Sequence, residues 1–462
     1  MITPEAGLKL DAGSNPIGAP SNKGDSVEKS EKVHWMAGIS RYHWMVFACC
    51  WLGGIFDGMD STLMSVAGPK AIAELIGNSN PLAVGAVAST VGSVFLLGWM
   101  LGGVLFGLMG DKLGRVRSMI VSILLYALFT GLAGWAHNWP ELAVCRFLTG
   151  LGIGGELVSI STFLTEVWPT RSRAVAIGAL ITSYQAGVLI AGTISAVCHG
   201  WRETFWIGAL PAILVVFLRT ALKESDRWIE AKERQQNQGT VKFSHEKQLF
   251  QRCHARSLAL GGLAFGGLLI GYWASLSWIP FWIQSLLAGG GQGNERGIAT
   301  MCQGLAAIAG CLLAGFAVDA LGRRWTIALS SVACLLSSLL LFLLKREFSP
   351  DIYAYGALLG FFIGLNQAAM YIYLPELFPT LIRASGTGFC LNVGRLATVV
   401  SVFFMGDLMK WMAHVTPQIP VGSLLAGISP YGMAAALFSF AYLLTAAGVL
   451  ASRETRGQAL PE

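Results

Sequence analysis

Charge is scarce in this chain. Asp, Glu, Lys and Arg make up only 13% of its 462 residues, while 54% are hydrophobic. That balance excludes a soluble multi-domain protein and calls for burial in lipid. The sequence has no Gly-rich loop ending in Lys-Ser or Lys-Thr, no pair of histidines at metal spacing and no nucleophile elbow, so nothing in it supports an enzyme. There are nine cysteines. Cys49, Cys50, Cys145, Cys302, Cys311, Cys334 and Cys390 fall inside apolar runs, which argues against a disulfide framework or a zinc site, and no cofactor or metal is expected. The absence of any Asn-x-Ser/Thr acceptor favours a bacterial inner membrane over a glycosylated surface.

Long apolar runs are what the chain has instead. Stretches of at least about 18 apolar residues, enough to cross a hydrocarbon core about 30 Å thick, can be placed twelve times: 44–67, 85–110, 117–136, 139–167, 174–197, 203–222, 257–286, 297–320, 325–344, 352–376, 384–412 and 429–451. Residues 1–40 mix Gly, Pro, Ser and charges without an apolar core and read as a disordered tail, not a cleavable signal. The expected organisation is that tail, a six-helix bundle over 41–222, a polar loop over 223–256, a second six-helix bundle over 257–452 and a tail over 453–462. Lys and Arg concentrate in the tails, the polar loop and alternate short connections. On the opposite side stand only Lys70, Arg202, Arg296, Lys345, Arg346 and Lys410. The positive-inside rule therefore predicts both tails and the central loop in the cytoplasm. Topology accounts for the net charge of +6, so nucleic acid is not an expected partner.

The chain is also duplicated. Gly107-Leu-Met-Gly-Asp111-Lys-Leu-Gly114-Arg115-Val-Arg117 recurs as Gly315-Phe-Ala-Val-Asp319-Ala-Leu-Gly322-Arg323-Arg324, and Glu166-Val-Trp-Pro169-Thr-Arg-Ser-Arg173 recurs as Glu376-Leu-Phe-Pro379-Thr-Leu-Ile-Arg383. Each copy follows a long apolar run, so the repeated unit is a membrane half.

Gly107, Asp111, Lys112, Gly114 and Arg115 resemble the signature loop of the major facilitator superfamily, and the resemblance covers essentially residues 40–455. It implies an all-α polytopic membrane protein, with twelve transmembrane helices in two pseudo-symmetric six-helix bundles. Val116 and Ala320 depart from the pattern, where the family has further bases. Within the superfamily the chain is similar to sugar-porter-like metabolite:proton symporters: Glu224-Ser-Asp-Arg-Trp228 and Arg453-Glu-Thr-Arg-Gly457 resemble their motifs after the sixth span and in the tail, although the expected prolines are missing. The seventh span lacks the Gln-Gln-x-x-Gly-x-Asn run of hexose porters, which argues against a hexose. Asp57-Gly-Met-Asp60 resembles aromatic-acid:proton symporters, and Gly154-Gly-Glu156 resembles sialate symporters.

An ionised side chain at a bilayer centre costs roughly 2.5–3.5 kcal/mol on insertion scales, so intramembrane charges call for partners or a wet cavity. Asp57 and Asp60 lie three apart on one helical face. By helical rise, Asp57 and Arg146 each lie about 10 Å below the outer edge of the core. That match permits a carboxylate–arginine pair between spans one and four. The resemblance implies the same coupling arrangement, with Asp60 at the matching position. The alternative is a static ion pair that fixes helix packing. Glu156 lies about 15 Å deeper than Arg146 and reads as a second proton-relay carboxylate, a partner for a cation, or a structural hydrogen-bonding group. Arg395, near mid-bilayer in Asn392-Val-Gly394-Arg395, offers the two parallel donors of a carboxylate clamp. Its alternative is a gate pairing with a carboxylate of the other half. Asn392, Tyr184, Gln185, Tyr272, Trp273, Trp278, Trp282, Gln284, Asn366, Gln367, Tyr371 and Tyr373 are candidates to line a central cavity, although single aromatics in spans more often pack or mark the interface.

At the cytoplasmic helix ends, Asp111, Arg115, Arg117, Glu166 and Arg173 in the first half are mirrored by Asp319, Arg323, Arg324, Glu376 and Arg383 in the second. The resemblance implies salt bridges that close the inward side and break for inward opening. The bland alternative is retention of positive charge inside. Together these readings predict a monomeric, proton-coupled symporter in a lipid bilayer, importing a small organic anion, aromatic or another monocarboxylate, by alternating access, with protons as the coupling ion. A facilitator or exporter of polyols or amphipathic compounds is the runner-up, and a membrane nutrient sensor is the alternative from another class.

Overall fold

The computed structural model describes residues 39–169, 173–198, 200–210, 222–225, 252–287, 294–379, 383–418 and 427–456, with the single positions 213, 229 and 233. The expected amino-terminal tail and most of the central loop lie outside the described residues.

The described chain is helical throughout. The first half contains α1 (Arg41–Ile76), α2 (Pro81–Leu113), α3 (Arg115–Ala133), α4 (Trp139–Val167), α5 (Arg173–Val197) and α6 (Trp201–Ile207). In the second half, α7 (Arg252–Ala274) and α8 (Ile279–Leu286) form the seventh span around a 3₁₀ turn at Leu276–Trp278. They are followed by α9 (Glu295–Leu321), α10 (Arg323–Leu344), α11 (Ile352–Glu376), α12 (Arg383–Phe403), α13 (Met405–Val415), α14 (Pro430–Ser439) and α15 (Ala441–Ala451). Nine helical stretches among the described residues are long and apolar enough to cross a membrane. The long helices α1 and α4 are not among them, and they are the two that carry Asp57, Asp60, Arg146 and Glu156. With these two, and with the sixth span that α6 begins, the architecture is a twelve-span, two-bundle membrane fold.

Local chemistry sets the helix ends. Asn80, Asn138 and Ser429 each accept a hydrogen bond from a first-turn backbone N–H, and a proline in that turn has no N–H to satisfy. At the opposite, Arg-rich end, Gly114 (φ 111°) and Gly322 (φ 89°) break the chain between α2 and α3 and between α9 and α10. Both use backbone that a β-carbon disfavours, and both occupy the same place in the repeated loop.

The duplication is visible in the packing. α2 packs on α4 as α9 packs on α11; α1 on α5 as α7 on α12; α3 on α4 as α10 on α11. The halves meet through α5 against α9 and through α2 against α12 and α13, pairings that exchange when the chain is shifted by six spans. Glycine permits the closest crossings. A β-carbon on Gly102 or Gly154 would strike the backbone carbonyl of Leu151 or Trp99, and in the second half one on Gly310 or Gly364 would strike that of Phe361 or Ala307. Small residues at such crossings let helices approach where lipid supplies no hydrophobic drive. Away from the Arg-rich end the halves are drawn together. The Tyr431 hydroxyl donates to the Pro81 carbonyl at 2.7 Å, Gly406 sits on Ala86 and Ser89, and Gly192 sits on Gly297 and Met301.

Candidate functional site

Asp60 and Arg146 meet in the middle of the first half, each with no exposed surface. Arg146 Nη1 stands 3.4 Å from Asp60 Oδ1, and Nη2 donates to the Asp60 backbone carbonyl at 3.1 Å. Thr130 of α3 donates to the same carboxylate oxygen at 2.8 Å and lies 3.3 Å from the Thr149 hydroxyl. The guanidinium lies over the Phe95 ring, 4.6 Å from its centre, with Phe205 at 5.9 Å. Asp60 Oδ2 and Arg146 Nε are buried without a hydrogen-bond partner, so the pair is not saturated. Removing either member strands a buried charge.

Asp57 faces elsewhere. It sits one turn nearer the Arg-rich end, buried, within electrostatic reach of Glu156 of α4, of Asp60 and of Arg395 of α12. Glu156 presses against Gly53 of α1 and lies close to the Tyr126 hydroxyl. None of the four carboxylate oxygens of Asp57 and Glu156 has a partner at good hydrogen-bond geometry. The two aspartates, expected from sequence on one helical face, are divided: Asp60 belongs to Arg146, and Asp57 lies within electrostatic reach of Glu156 and Arg395. The physical reason is that three residues along a helix turn side chains about 60° apart, enough to aim them at different neighbours.

Arg395 reaches across the interface between halves. Its guanidinium lies 5.4 Å from the centre of the Trp99 ring, and Nη1 is 3.4 Å from Asn392 Oδ1. Around it is an aromatic group: Trp99 stacks on Tyr184 at 6.4 Å, Trp273 meets Trp99 edge-on at 5.8 Å, Tyr272 meets Tyr184 at 6.5 Å, and Tyr371 packs on Phe265. The Tyr184 hydroxyl is 2.9 Å from that of Ser61. Gln185 Nε2 donates to Gln367 Oε1 at 2.7 Å, an amide bridge from α5 of one half to α11 of the other. Beyond this group Ser61, Thr62, Tyr272, Trp273, Ser277, Thr300 and Gln303 are among the residues lining a cavity of about 20 Å³. That is room for one water molecule, and a larger ligand enters only if the halves move.

Several expected cavity residues are placed otherwise. Asn366 points into α10, where its amide donates to the Ile327 carbonyl at 3.1 Å and to Ser330 and Ser331 at 2.9 and 2.7 Å. Trp278 packs on Phe281 and Tyr431, and Trp282 donates to Ser429 and packs on Phe342, both at the closed end. Tyr373 donates to the Arg453 carbonyl. The Asn366 amide nitrogen, the Trp282 indole and the Tyr373 hydroxyl are thus spent on protein partners, while Asn366 Oδ1 is buried without one. Conversely, Phe95 and Trp99 belong to the site although they were not singled out from sequence. Their signal is a four-residue spacing on the face of α2 that also carries Gly98 and Gly102.

At the Arg-rich end, the two copies of the repeat build the same clasp. Arg115 places Nε and Nη2 3.1 and 3.0 Å from Glu166 Oε1, and Arg323 engages both oxygens of Glu376 at 3.1 and 3.2 Å. A second glutamate then caps each following helix. Glu224 accepts from the backbone N–H groups of Val116 and Arg117, both at 3.2 Å, and Glu454 from those of Arg323 and Arg324 at 3.0 and 3.1 Å. Burial opposes ionisation of Glu454, but hydrogen bonds from the backbone of Arg324, Arg456, Arg323 and Thr455 hold its carboxyl below the ordinary range. Asp319 is exposed, 3.6 Å from Arg323, and Arg324 donates to the Leu450 carbonyl. The Arg117 side chain is exposed. The side chains of Asp111, Arg173 and Arg383 lie outside the described residues.

Two pseudo-symmetric bundles, buried charges in the first of them and paired clasps at one end define a polytopic membrane transporter, not an enzyme. The chain belongs to the Major Facilitator Superfamily, whose family model matches residues 50–402. It is 30% identical to a cis,cis-muconate transport protein of Acinetobacter baylyi, over 80% of this chain and 89% of that one. It is 31% identical to a sialic acid transporter of Escherichia coli, over 77% of this chain and 86% of the relative. In fold it is similar to the inward-open xylose transporter of Escherichia coli, with a TM-score of 0.68 at 18% identity over 90% of this chain and 98% of that one.

Proposed function

We propose that the chain imports a small organic monocarboxylate, aromatic or otherwise planar, together with protons, by alternating access across a bacterial inner membrane. The Arg-rich end faces the cytoplasm, as the positive-inside bias requires. The observation that carries this reading is the buried array of Asp60–Arg146 inside the first half and, beside it, Asp57 and Glu156 within electrostatic reach of Arg395 from the second half. Carboxylates held in a dry interior bind protons readily, and a neighbouring guanidinium that changes partners couples their charge to a second ligand. Asp60 and Arg146 form the proton-coupling pair, with Asp57 and Glu156 as further carriers. Arg395 receives the substrate carboxylate, and Trp99, Tyr184, Tyr272, Trp273 and Tyr371 receive its planar body. The relatives named for the transport of muconate and sialic acid support an acid as cargo. Opening and closing proceed by rocking of the two bundles, with the Arg115–Glu166 and Arg323–Glu376 clasps bracing the cytoplasmic end.

The test is uptake into proteoliposomes under an imposed pH gradient, screened across aromatic acids, short hydroxy acids, sialate and betaine-like compounds. Accumulation of an acid that collapses with the gradient supports the assignment. Gradient-independent equilibration identifies a facilitator instead, and binding without flux identifies a sensor.

A further inference from the structure

A second pair of cations, Lys70 and Arg296, lies on the two helices that line the small cavity, beyond its lining residues on the side away from the Arg-rich end. On α9, Arg296 precedes Thr300 and Gln303 by one and two turns, and both of those line the cavity. On α1, Ser61, Thr62 and Ser65 line the same cavity, and Lys70 follows just beyond. The fold thus brings Lys70 and Arg296, two like charges, within electrostatic reach of each other. Arg296 is only 3% exposed, yet its Nη1 has no hydrogen-bond partner and no carboxylate among the described residues lies within ion-pair distance of it. Lys70 is exposed. Among the described residues the acidic group acting on both is Glu295, which also acts on Tyr353 of α11 and so is shared. Two cations against one shared carboxylate, with a desolvated guanidinium nitrogen unfilled, is an arrangement that an anion completes.

We infer that Arg296, assisted by Lys70, is an outer subsite that captures the carboxylate of the incoming anion before it passes to Arg395. This inference rests on the organic-acid reading above. It also explains why the site is buried here: Gly297, next to Arg296, is packed against Gly192 and Ala196 of the other half. Separation of α5 from α9 exposes the guanidinium to the outer solution, and closure wraps it around a bound carboxylate.

Uptake kinetics measured from each face of oriented proteoliposomes test the inference, using an acid that the wild type has been shown to carry. Arg296→Gln is expected to raise KM from the outer face about tenfold, the loss of one charge-assisted hydrogen bond, with Vmax and inner-face KM unchanged. Arg296→Lys restores most of the affinity. Added salt raises the outer KM of the wild type more than that of Arg296→Gln, which keeps only Lys70. Lys70→Gln, at an exposed position, gives a smaller rise of the same kind and serves where Arg296→Gln yields no folded protein. An unchanged outer KM, or a fall in Vmax on both faces with KM intact, overturns the subsite and makes Arg296 a closing element only. A wild type that carries no acid at all overturns the functional reading, and this inference with it.

Discussion

Arg146 holds Asp60 at two points, the carboxylate through Nη1 at 3.4 Å and the backbone carbonyl through Nη2 at 3.1 Å. The pair therefore fixes a side-chain charge and the local course of α1 together. A lysine has a single head group and cannot hold both at that spacing.

Arg146→Ala is expected to lower folding stability by about 3–5 kcal/mol, because it leaves a buried carboxylate uncompensated. Asp60→Asn combined with Arg146→Gln recovers part of that loss. Thermal unfolding in detergent reads both. A single mutant as stable as the wild type contradicts the assignment of a desolvated pair.

Glycine crossings predict a contrast. Gly102→Ala and Gly364→Ala drive a β-carbon into a neighbouring backbone, and each is expected to destabilise by about 1–3 kcal/mol. A β-carbon on Gly178 meets nothing within 4 Å, so Gly178→Ala is expected to be neutral or stabilising by about 0.5–1 kcal/mol through helix propensity. Equal melting temperatures for all three variants refute close backbone packing as the reason for Gly102 and Gly364.

The tail clasp has a pH signature. The carboxyl of Glu454 is lowered in the folded protein relative to the ordinary 4.5 of a glutamate. Its contribution is therefore complete above that value and lost as pH falls through the lower folded value. Melting temperature on acidification below pH 4.5 should fall more steeply for the wild type than for Glu454→Gln. Parallel curves remove Glu454 from the account.

Much of this was legible in the sequence, for identifiable reasons. Helical rise is constant, so counting residues from the helix ends placed Asp57 and Arg146 at matching depth, one turn from the Asp60 that Arg146 meets, and the repeated Asp-x-x-Gly-Arg loops announced two equivalent clasps. What sequence did not reveal was direction around a helix. Asn366 and Tyr184 are both polar residues in apolar runs, yet one turns toward Ser330 and Ser331 while the other turns inward to Ser61. Phe95 and Trp99 were hidden because an aromatic in a span is usually packing, and only the nearness of Arg146 and Arg395 distinguishes them. Glu224 and Glu454, far apart in the chain, share a role as helix caps that only the fold discloses. Arg296 counted as an outer-loop charge until its burial was seen.

Arg395 carries the substrate assignment. Arg395→Lys keeps the charge but loses the forked pair of donors, and KM for the carried acid is expected to rise about tenfold or more. The pH-gradient dependence of the remaining flux should be unaltered. Loss of proton dependence with an unchanged KM places Arg395 in coupling instead, as a partner of Asp57.

The central claim is that protonation of the Asp60–Arg146 pair drives accumulation. The most direct measurement compares wild type and Asp60→Asn in proteoliposomes, following acid uptake under an inward proton gradient and exchange with no gradient. The variant is expected no longer to accumulate substrate against its gradient while exchange continues, because a neutral amide mimics the protonated state and leaves the binding cavity in place. Full gradient-driven accumulation by Asp60→Asn contradicts it.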